Sequence, residues 1–427
     1  MTLQPQKRLA LCYLFAAGLS FWLSMTSLLP VLPAYIEEIS PGVRQIDWGP
    51  FSFLLSVQSQ VGIVMGGFAI GLLLSRTRLG RMADQRGRKI VVLIGTAVAG
   101  IAPLGYLLFQ PIPLLMALRA FHGISIAAFT TGYSALVVDI APADKRGEVI
   151  GYMSLVVPIG MSMGPLVGGY IGEAAGYAPA FLTSAIAGFL ALGLASRVKE
   201  EKAKVASLDK GDSPVKGQFW QLLVSPALRV PTAVMLCVGL IFGTLITFLP
   251  LFVKEVGIDL NVGLFYMARA IASFIGRLVT GRASDRYGRG LFISLSLVFY
   301  GSSMLTLSRA FSPAEFLVAA FLEGLGGGVL IPVIIALVSD RSTMDERGLV
   351  YAVCIGGFDL GVALAGPVLG FLAEPLGYRG LYNLVGGIAF FALFIFLTRS
   401  SETLDLSLRF ATGRAKDVYA LDGDRSQ

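Results

Sequence analysis

Apolar runs of about 20 residues recur along the whole chain, and they limit the possible folds more than any other feature. An α-helix rises 1.5 Å per residue, so a run of that length matches the ~30 Å hydrocarbon core of a bilayer. Twelve such runs can be marked, at about 9–36, 50–75, 89–109, 112–138, 147–171, 177–196, 230–253, 261–281, 290–308, 313–338, 348–372 and 377–398. Charge supports the same reading. Only 14% of the 427 residues are charged and 55% are hydrophobic, against about 25% charged in soluble domains. Too few charges remain to cover a water-facing surface of this size. A soluble enzyme, a disordered chain, a fibrous protein and a secreted disulfide scaffold are excluded. The expectation is an all-α membrane protein with twelve transmembrane helices.

The net charge of +7 does not point to nucleic acid, because the basic residues lie in the gaps between apolar runs. Only Arg44, Lys254, Arg309 and Arg379 fall in loops after odd-numbered runs, and Arg119 and Arg269 fall within runs. The other basic residues gather on one side, the side of both termini, which the positive-inside rule makes cytoplasmic. Lys7 and Arg8 followed by apolar residues imitate a signal peptide, but the run is too long for an h-region and has no clear cleavage site, so it is read as a retained helix. Cys12, Cys237 and Cys354 all lie in apolar runs without C-x-x-C spacing and are read as small buried hydrophobes.

The longest gap, about 197–229, carries Lys199, Glu200, Glu201, Lys202, Lys204, Asp209 and Lys210 and reads as a solvated linker. It divides the chain into an N-terminal bundle (1–196) and a C-terminal bundle (230–398), with a polar tail from 399 to 427. The halves repeat at an offset of 201. Gly80-Arg81-Met82-Ala83-Asp84-Gln85-Arg86-Gly87-Arg88 aligns with Gly281-Arg282-Ala283-Ser284-Asp285-Arg286-Tyr287-Gly288-Arg289, and Ala135 to Asp139 aligns with Ala336 to Asp340. Gly176-Tyr177 and Gly377-Tyr378 keep the register. An internal repeat of this kind is characteristic of secondary transporters.

The pattern Gly80-x-x-x-Asp84-x-x-Gly87-Arg88-Lys89 resembles the signature loop of the major facilitator superfamily, with Gln85 where the family usually has a basic residue. Gly160-x-x-x-Gly164-Pro165-x-x-Gly168-Gly169 resembles the motif of its proton-linked antiporters, many of which export drugs. Arg119-Ala120-Phe121-His122-Gly123 is similar to the R-x-x-Q-G motif of that group, with His122 replacing the amide. The resemblance implies two pseudo-symmetric six-helix bundles around a central cavity lined by spans 1, 4, 7 and 10. Gly80, Asp84, Arg88, Asp139, Gly281, Asp285 and Arg289 would then form a cytoplasmic gate, with Gly80 permitting close helix approach and the charges either latching that side or merely fixing topology. Small residues at the spacing of Gly160, Gly164, Gly168 and Gly169 allow close helix packing, and Pro165 can bend the helix.

Ionisable residues at membrane depth are expensive and each needs an account. Arg119 and His122 share a face of span 4, while Glu323 in span 10 stands at the repeat position of His122. The family's fold would place His122 and Glu323 on opposite walls of the cavity, where Glu323 could load and release a proton. A static pair with Arg119 and a substrate-binding carboxylate are the competing readings. Arg269 in span 8 and Asp359 in span 11 are expected to pair, with Asp359 as a second proton site in the alternative. Trp22, Gln58, Tyr133 and Tyr266 could line the cavity. Span 1 holds no acid before Glu37, unlike many proton-linked exporters.

The expected function is secondary active transport by alternating access, proton-coupled efflux of a small organic or amphipathic solute through a monomer in a bacterial inner membrane. Import of a hydrophilic nutrient by proton symport and flipping of lipid or lysolipid are the rivals. With one histidine, no H-E-x-x-H and no Walker loop, neither metal nor cofactor is expected and the chain does not read as an enzyme or an ATP-driven pump. The tail is expected to be mobile, with Leu404, Leu406, Leu408 and Phe410 placed to touch the membrane surface.

Overall fold

The computed structural model describes residues 5–48, 51–142, 145–198, 200, 221–343 and 346–421. Most of the linker and the last six residues of the tail lie outside the described residues, as do Lys199, Glu201, Lys202, Lys204, Asp209 and Lys210.

Helix follows helix along the chain: α1 (Pro5–Ser27), α2 (Leu32–Ile39), α3 (Val57–Arg86), α4 (Arg88–Leu108), α5 (Ile112–Ile140), α6 (Arg146–Ser154), α7 (Val156–Ala175) and α8 (Tyr177–Ser196). The second half supplies α9 (Pro226–Val256), α10 (Val262–Tyr287), α11 (Arg289–Ser308), α12 (Pro313–Asp340), α13 (Arg347–Arg399) and α14 (Leu404–Ala411). Among the described residues, eleven helical segments are long and apolar enough to cross a bilayer. The last, α13, runs 53 residues, about 80 Å at 1.5 Å per residue and more than twice the hydrocarbon core. Gly377, at φ 65° and ψ 169°, breaks its helical geometry near the predicted boundary between two runs.

That break belongs to a set. Gly87, Gly176, Gly288 and Gly377 all have positive φ, and they form two pairs at the repeat offset of 201. Positive φ is nearly free for glycine and disfavoured for other residues, so one residue suffices to turn from one helix into the next. The sequence repeat is therefore also a repeat of backbone conformation.

Several boundaries differ from the sequence reading. The first run is interrupted, since helix stops at Ser27 and resumes at Leu32 around Pro30, which lacks the backbone N–H for one rung of the helix ladder. The run assigned to 50–75 begins instead with a strand, β2 (Phe51–Leu55), paired antiparallel to β1 (Arg44–Trp48). Helix α3 starts only after Ser56, whose side chain caps the Ser59 amide at 3.2 Å. Phe51 to Leu55 is rich in residues that suit strands as well as membrane helices, so hydropathy alone could not separate the two.

Two compact units partition the chain. The first comprises Met1–Asp209, Ile246–Met267 and Gly366–Phe371; the second comprises Lys210–Leu245, Ala268–Ala365 and Leu372–Gln427. Within the first, Phe21 of α1 stacks on Phe129 of α5 with centroids 3.8 Å apart. Helix α7 lies against α1 through Gly160, Gly164 and Gly168, which face Trp22, Thr26 and Ser27 so closely that a Cβ at any of them would collide. Thr26 Oγ1 donates to the Gly160 carbonyl at 2.8 Å. The segments 246–267 and 366–371 join this unit at the Glu37 end of α2: Glu37 pairs with Lys254 at 2.7 Å, and the backbones of Gly62 and Gly366 meet. Gly169 and Pro165 belong to the same seam, against Asn261 and Gly263. Large apolar side chains such as Leu74, Leu108 and Ile186 remain exposed along the helices, as lipid-facing residues do.

The tail departs from expectation. Residues 404–411 form α14, with Ser407, Phe410 and Ala411 buried. Sequence reasoning treated its polar composition as a sign of mobility and did not see the partners that hold it.

Candidate functional site

Each unit holds a buried polar cluster at membrane depth, built on a pair of closely packed helices. In the first unit, α5 packs on α3 where Gly123 meets the Phe68 carbonyl and Gly71 meets the Ala120 backbone. That contact draws Arg119 and His122 inside, at 6% and 1% exposure. The Arg119 guanidinium lies 4.6 Å from the Phe68 ring centroid, a cation–π arrangement. Tyr106, from α4, brings its hydroxyl within 3.1 Å of His122 Nδ1. Arg119 Nε and His122 Nε2 have no hydrogen-bond partner among the described residues. The cluster holds a cation, an imidazole and a phenol, with no carboxylate paired to Arg119 among the described residues.

In the second unit, Glu323 of α12 is fully buried and forms an ion pair with Arg269 of α10 through Oε2 and Nε. Arg269 also lies 4.9 Å from the Phe242 ring centroid of α9. Tyr300 of α11 is buried beside the pair, and its hydroxyl faces Gly327. Glu323 Oε1 has no hydrogen-bond partner among the described residues. One oxygen is therefore held by a guanidinium while the other is spare.

Sequence reasoning matched Arg269 with Asp359 and considered Arg119 for Glu323; in the structure Glu323 forms an ion pair with Arg269. Helix spacing specifies which residues share a face of one helix but not how two helices are rotated toward each other. Asp359 lies in α13 next to Phe358, whose ring approaches Phe242 at 5.7 Å. Tyr106 and Tyr300 were missed altogether. They stand opposite Leu307 and Ala99 in the repeat, so symmetry carried no signal for either.

The remaining candidates fall in packed positions. Tyr133 donates to the Met153 carbonyl at 3.1 Å and stacks on Phe129. Tyr266 is buried against Phe265, Trp22 packs its Cβ toward Gly160, and the Gln58 carbonyl approaches Gly370. At the loops, Arg88 pairs with Asp139 and donates to the Ala135 carbonyl at 2.9 Å, while Arg289 pairs with Asp340 at 2.9 Å and with Asp285 at 3.7 Å. Asp84 is exposed, and the start of α4 is capped instead by Glu200, which accepts from the Arg88 amide at 2.7 Å. The close approach expected at Gly80 is not made, for a Cβ there would meet nothing within 4 Å.

Comparison with known proteins supplies the family. A model of the Major Facilitator Superfamily matches residues 14–281 and 259–417. The multi-drug resistance efflux pump PmrA of Streptococcus pneumoniae is 26% identical over 365 residues, covering 84% of this chain and 88% of the pump. The multidrug resistance protein MdtG of Yersinia enterocolitica is 25% identical over 391 residues, covering 89% of each. The fold is shared with the crystal structure of the nucleoside transporter NupG at a TM-score of 0.74 and 12% identity, over 91% of this chain and 99% of that one. A bacterial homologue of the human lysosomal transporter Spinster matches at 0.68 and 15%, over 96% and 97%. This multi-pass integral membrane protein belongs to the Major Facilitator Superfamily of transporters.

Proposed function

We propose that the protein exports small organic or amphipathic solutes from the cell in exchange for protons, by alternating access. The observation that carries this reading is Glu323, wholly buried in a membrane helix with one oxygen on Arg269 and the other unpartnered. A proton taken up at the spare oxygen neutralises the carboxyl group and reduces the ion pair to a hydrogen bond from Arg269, which links proton loading to the contact between α10 and α12. With no acid in the first span before Glu37, Glu323 is the first candidate for the proton carrier, ahead of Asp359 and His122. Efflux is supported by the names of the relatives, both multidrug resistance proteins of bacteria, which also favour the inner membrane. The break of α13 at Gly377 supports twelve crossings in this reading, and the distribution of Lys and Arg supports cytoplasmic termini.

His122, Tyr106 and Arg119 form the second proposed element. A buried guanidinium with no carboxylate in its cluster suits a ligand bearing an acidic or strongly polar group. The same observation favours uptake of an organic acid as the second reading.

The test uses inside-out vesicles with an acid interior, a pH-sensitive dye and a panel of lipophilic cations, neutral drugs and organic acids. Substrate-triggered proton release present in the wild type and absent in Glu323→Gln is the expected outcome. Release unaltered by that substitution would remove Glu323 as carrier and turn attention to Asp359 or His122. Release only with organic acids, and only in the uptake direction, would replace export by symport.

A further inference from the structure

The tail does not trail from the last membrane helix but closes over the end of α12. Its short helix α14 starts at Thr403, whose hydroxyl caps the Leu406 amide. Ser407 accepts from the Ser401 amide at 2.9 Å and ties the helix to the segment before it. Phe410 packs against Phe396 of α13, with ring centroids 6.0 Å apart. Helix α11 meets this turn through Gly290, where any side chain would strike the Phe410 carbonyl, and through Ser294, which donates to the Ala411 carbonyl at 2.9 Å.

Beyond α14 the chain reaches Arg341, the residue that ends α12. Asp417 accepts from Arg341 Nε at 2.6 Å and from Nη2 at 2.9 Å. The same guanidinium donates to the carbonyls of Ala227 at 2.6 Å and Ser400 at 3.2 Å. Its Cζ lies 5.7 Å from the Phe410 ring and 5.1 Å from the Tyr419 ring. Leu421 adds one backbone bond, donating to the Asp340 carbonyl at 2.8 Å. The Arg341 side chain has no exposure at all and that of Asp417 only 11%. A bidentate, buried Arg–carboxylate pair with further carbonyl acceptors is a rigid joint, unlike a surface ion pair.

Helix α12 needs such a joint. Gly324, Gly326, Gly327 and Gly328 lie together near its middle, and Pro332 removes the hydrogen bond that the Gly328 carbonyl would accept. Glycine adds backbone freedom and proline removes a rung, so the turns from Val333 to Asp340 are weakly coupled to those before them. Arg341 stands 18 residues after Glu323, about five turns along the same face. The first half has no equivalent, since the repeat position of Arg341 is Ile140. The joint therefore stands on the helix that carries Glu323 and is not repeated at Ile140.

We propose that residues 400–421 act as a clamp on α12 and that Arg341 and Asp417 are positioning residues, holding the helix so that Glu323 keeps its place beside Arg269. The clamp rests on Glu323 as proton carrier only in its consequence for transport; its effect on Glu323 itself is measured separately. The test compares wild type, Asp417→Asn, Asp417→Glu and Leu421→Pro, each as full chain in proteoliposomes. Amide hydrogen exchange of residues 333–341 reports the joint. Dicyclohexylcarbodiimide, which modifies protonated carboxyls in apolar surroundings, reports Glu323 as a function of pH by mass spectrometry and requires no substrate.

The expected result for Asp417→Asn is exchange at least about tenfold faster in 333–341, corresponding to a loss of about 1.4 kcal/mol locally, and a midpoint of Glu323 modification moved by about one pH unit. Asp417→Glu retains the wild-type midpoint. Leu421→Pro removes a single hydrogen bond, remains folded if Asp417→Asn does not, and shifts exchange in the same direction by less. Unchanged exchange overturns the clamp. Faster exchange with an unmoved midpoint overturns positioning and leaves a merely structural tie. If Glu323→Gln still releases protons on substrate addition while the midpoint shift in Asp417→Asn stands, the proton-carrier reading fails and the clamp survives.

Discussion

In the first half, Phe68 and His122 face each other with ring centroids 5.8 Å apart; in the second half, the positions 201 residues later are Arg269 and Glu323, and they form an ion pair. The helix crossing that brings each pair together is the same. Gly123 lies against the Phe68 carbonyl, and its repeat partner Gly324 lies against the Arg269 carbonyl. One packing solution thus carries two chemistries. The small residue sets how closely the helices approach, while the side chains facing each other at that crossing are free to diverge. An aromatic next to an imidazole places no ion pair at the crossing, whereas a fully desolvated carboxylate is bound to its guanidinium, because removing one partner leaves a bare charge in an apolar interior. The second half is therefore expected to be the more sensitive one.

That difference can be broken in order of expected effect. Glu323→Leu removes the carboxylate paired with Arg269 and is expected to destabilise the purified protein by about 3–5 kcal/mol, read as a lowered thermal midpoint in detergent. His122→Leu removes a hydrogen-bonded neutral ring and should lower it much less; equal losses would erase the asymmetry. The double variant Arg269→Phe with Glu323→His transplants the first half's pair into the second. It should recover most of the stability lost in Arg269→Phe alone while abolishing substrate-driven proton release, and a double variant no more stable than the single one would show that the crossing is not interchangeable.

Smaller effects test what the halves share. Gly123→Ala and Gly324→Ala each force a methyl group onto a carbonyl oxygen and should cost about 1–3 kcal/mol each, in similar measure. A cost at only one site would mean that the backbone there can yield. Smallest of all, Arg88→Gln and Arg289→Gln break ion pairs about a third exposed, so each should change stability by under about 1 kcal/mol. Their effect is expected in transport rate, and a large stability loss for either would show that the loop pairs hold the fold together.

What could be read in the sequence divides along physical lines. Membrane helices are legible because a lipid-facing segment must be apolar along its whole length, and the repeat is legible because Gly87, Gly176, Gly288 and Gly377 occupy backbone conformations that few other residues tolerate. Glu323 and His122 announce themselves as polar residues in apolar surroundings. Their partners do not. The meeting of Arg269 and Glu323 depends on the rotation of α10 about its axis, and the participation of Tyr106 depends on α4 lying across α5. The tail was misread for a related reason, since Asp417 is an ordinary surface-type residue until Arg341 is seen beside it. Phe51 to Leu55 was misread because hydropathy does not distinguish a strand from the first turns of a helix.

The single-glycine joints have a mechanical consequence. Where one residue separates two helices, as Gly87 separates α3 from α4 and Gly288 separates α10 from α11, the chain has no slack. A longer loop would absorb the turning of one helix before its neighbour felt it; a one-residue joint transmits it at once, in the manner of a crank. Torque applied at one buried crossing is thereby handed through covalent bonds to the adjoining helix, and the fewest residues able to alter that gearing are the four glycines themselves.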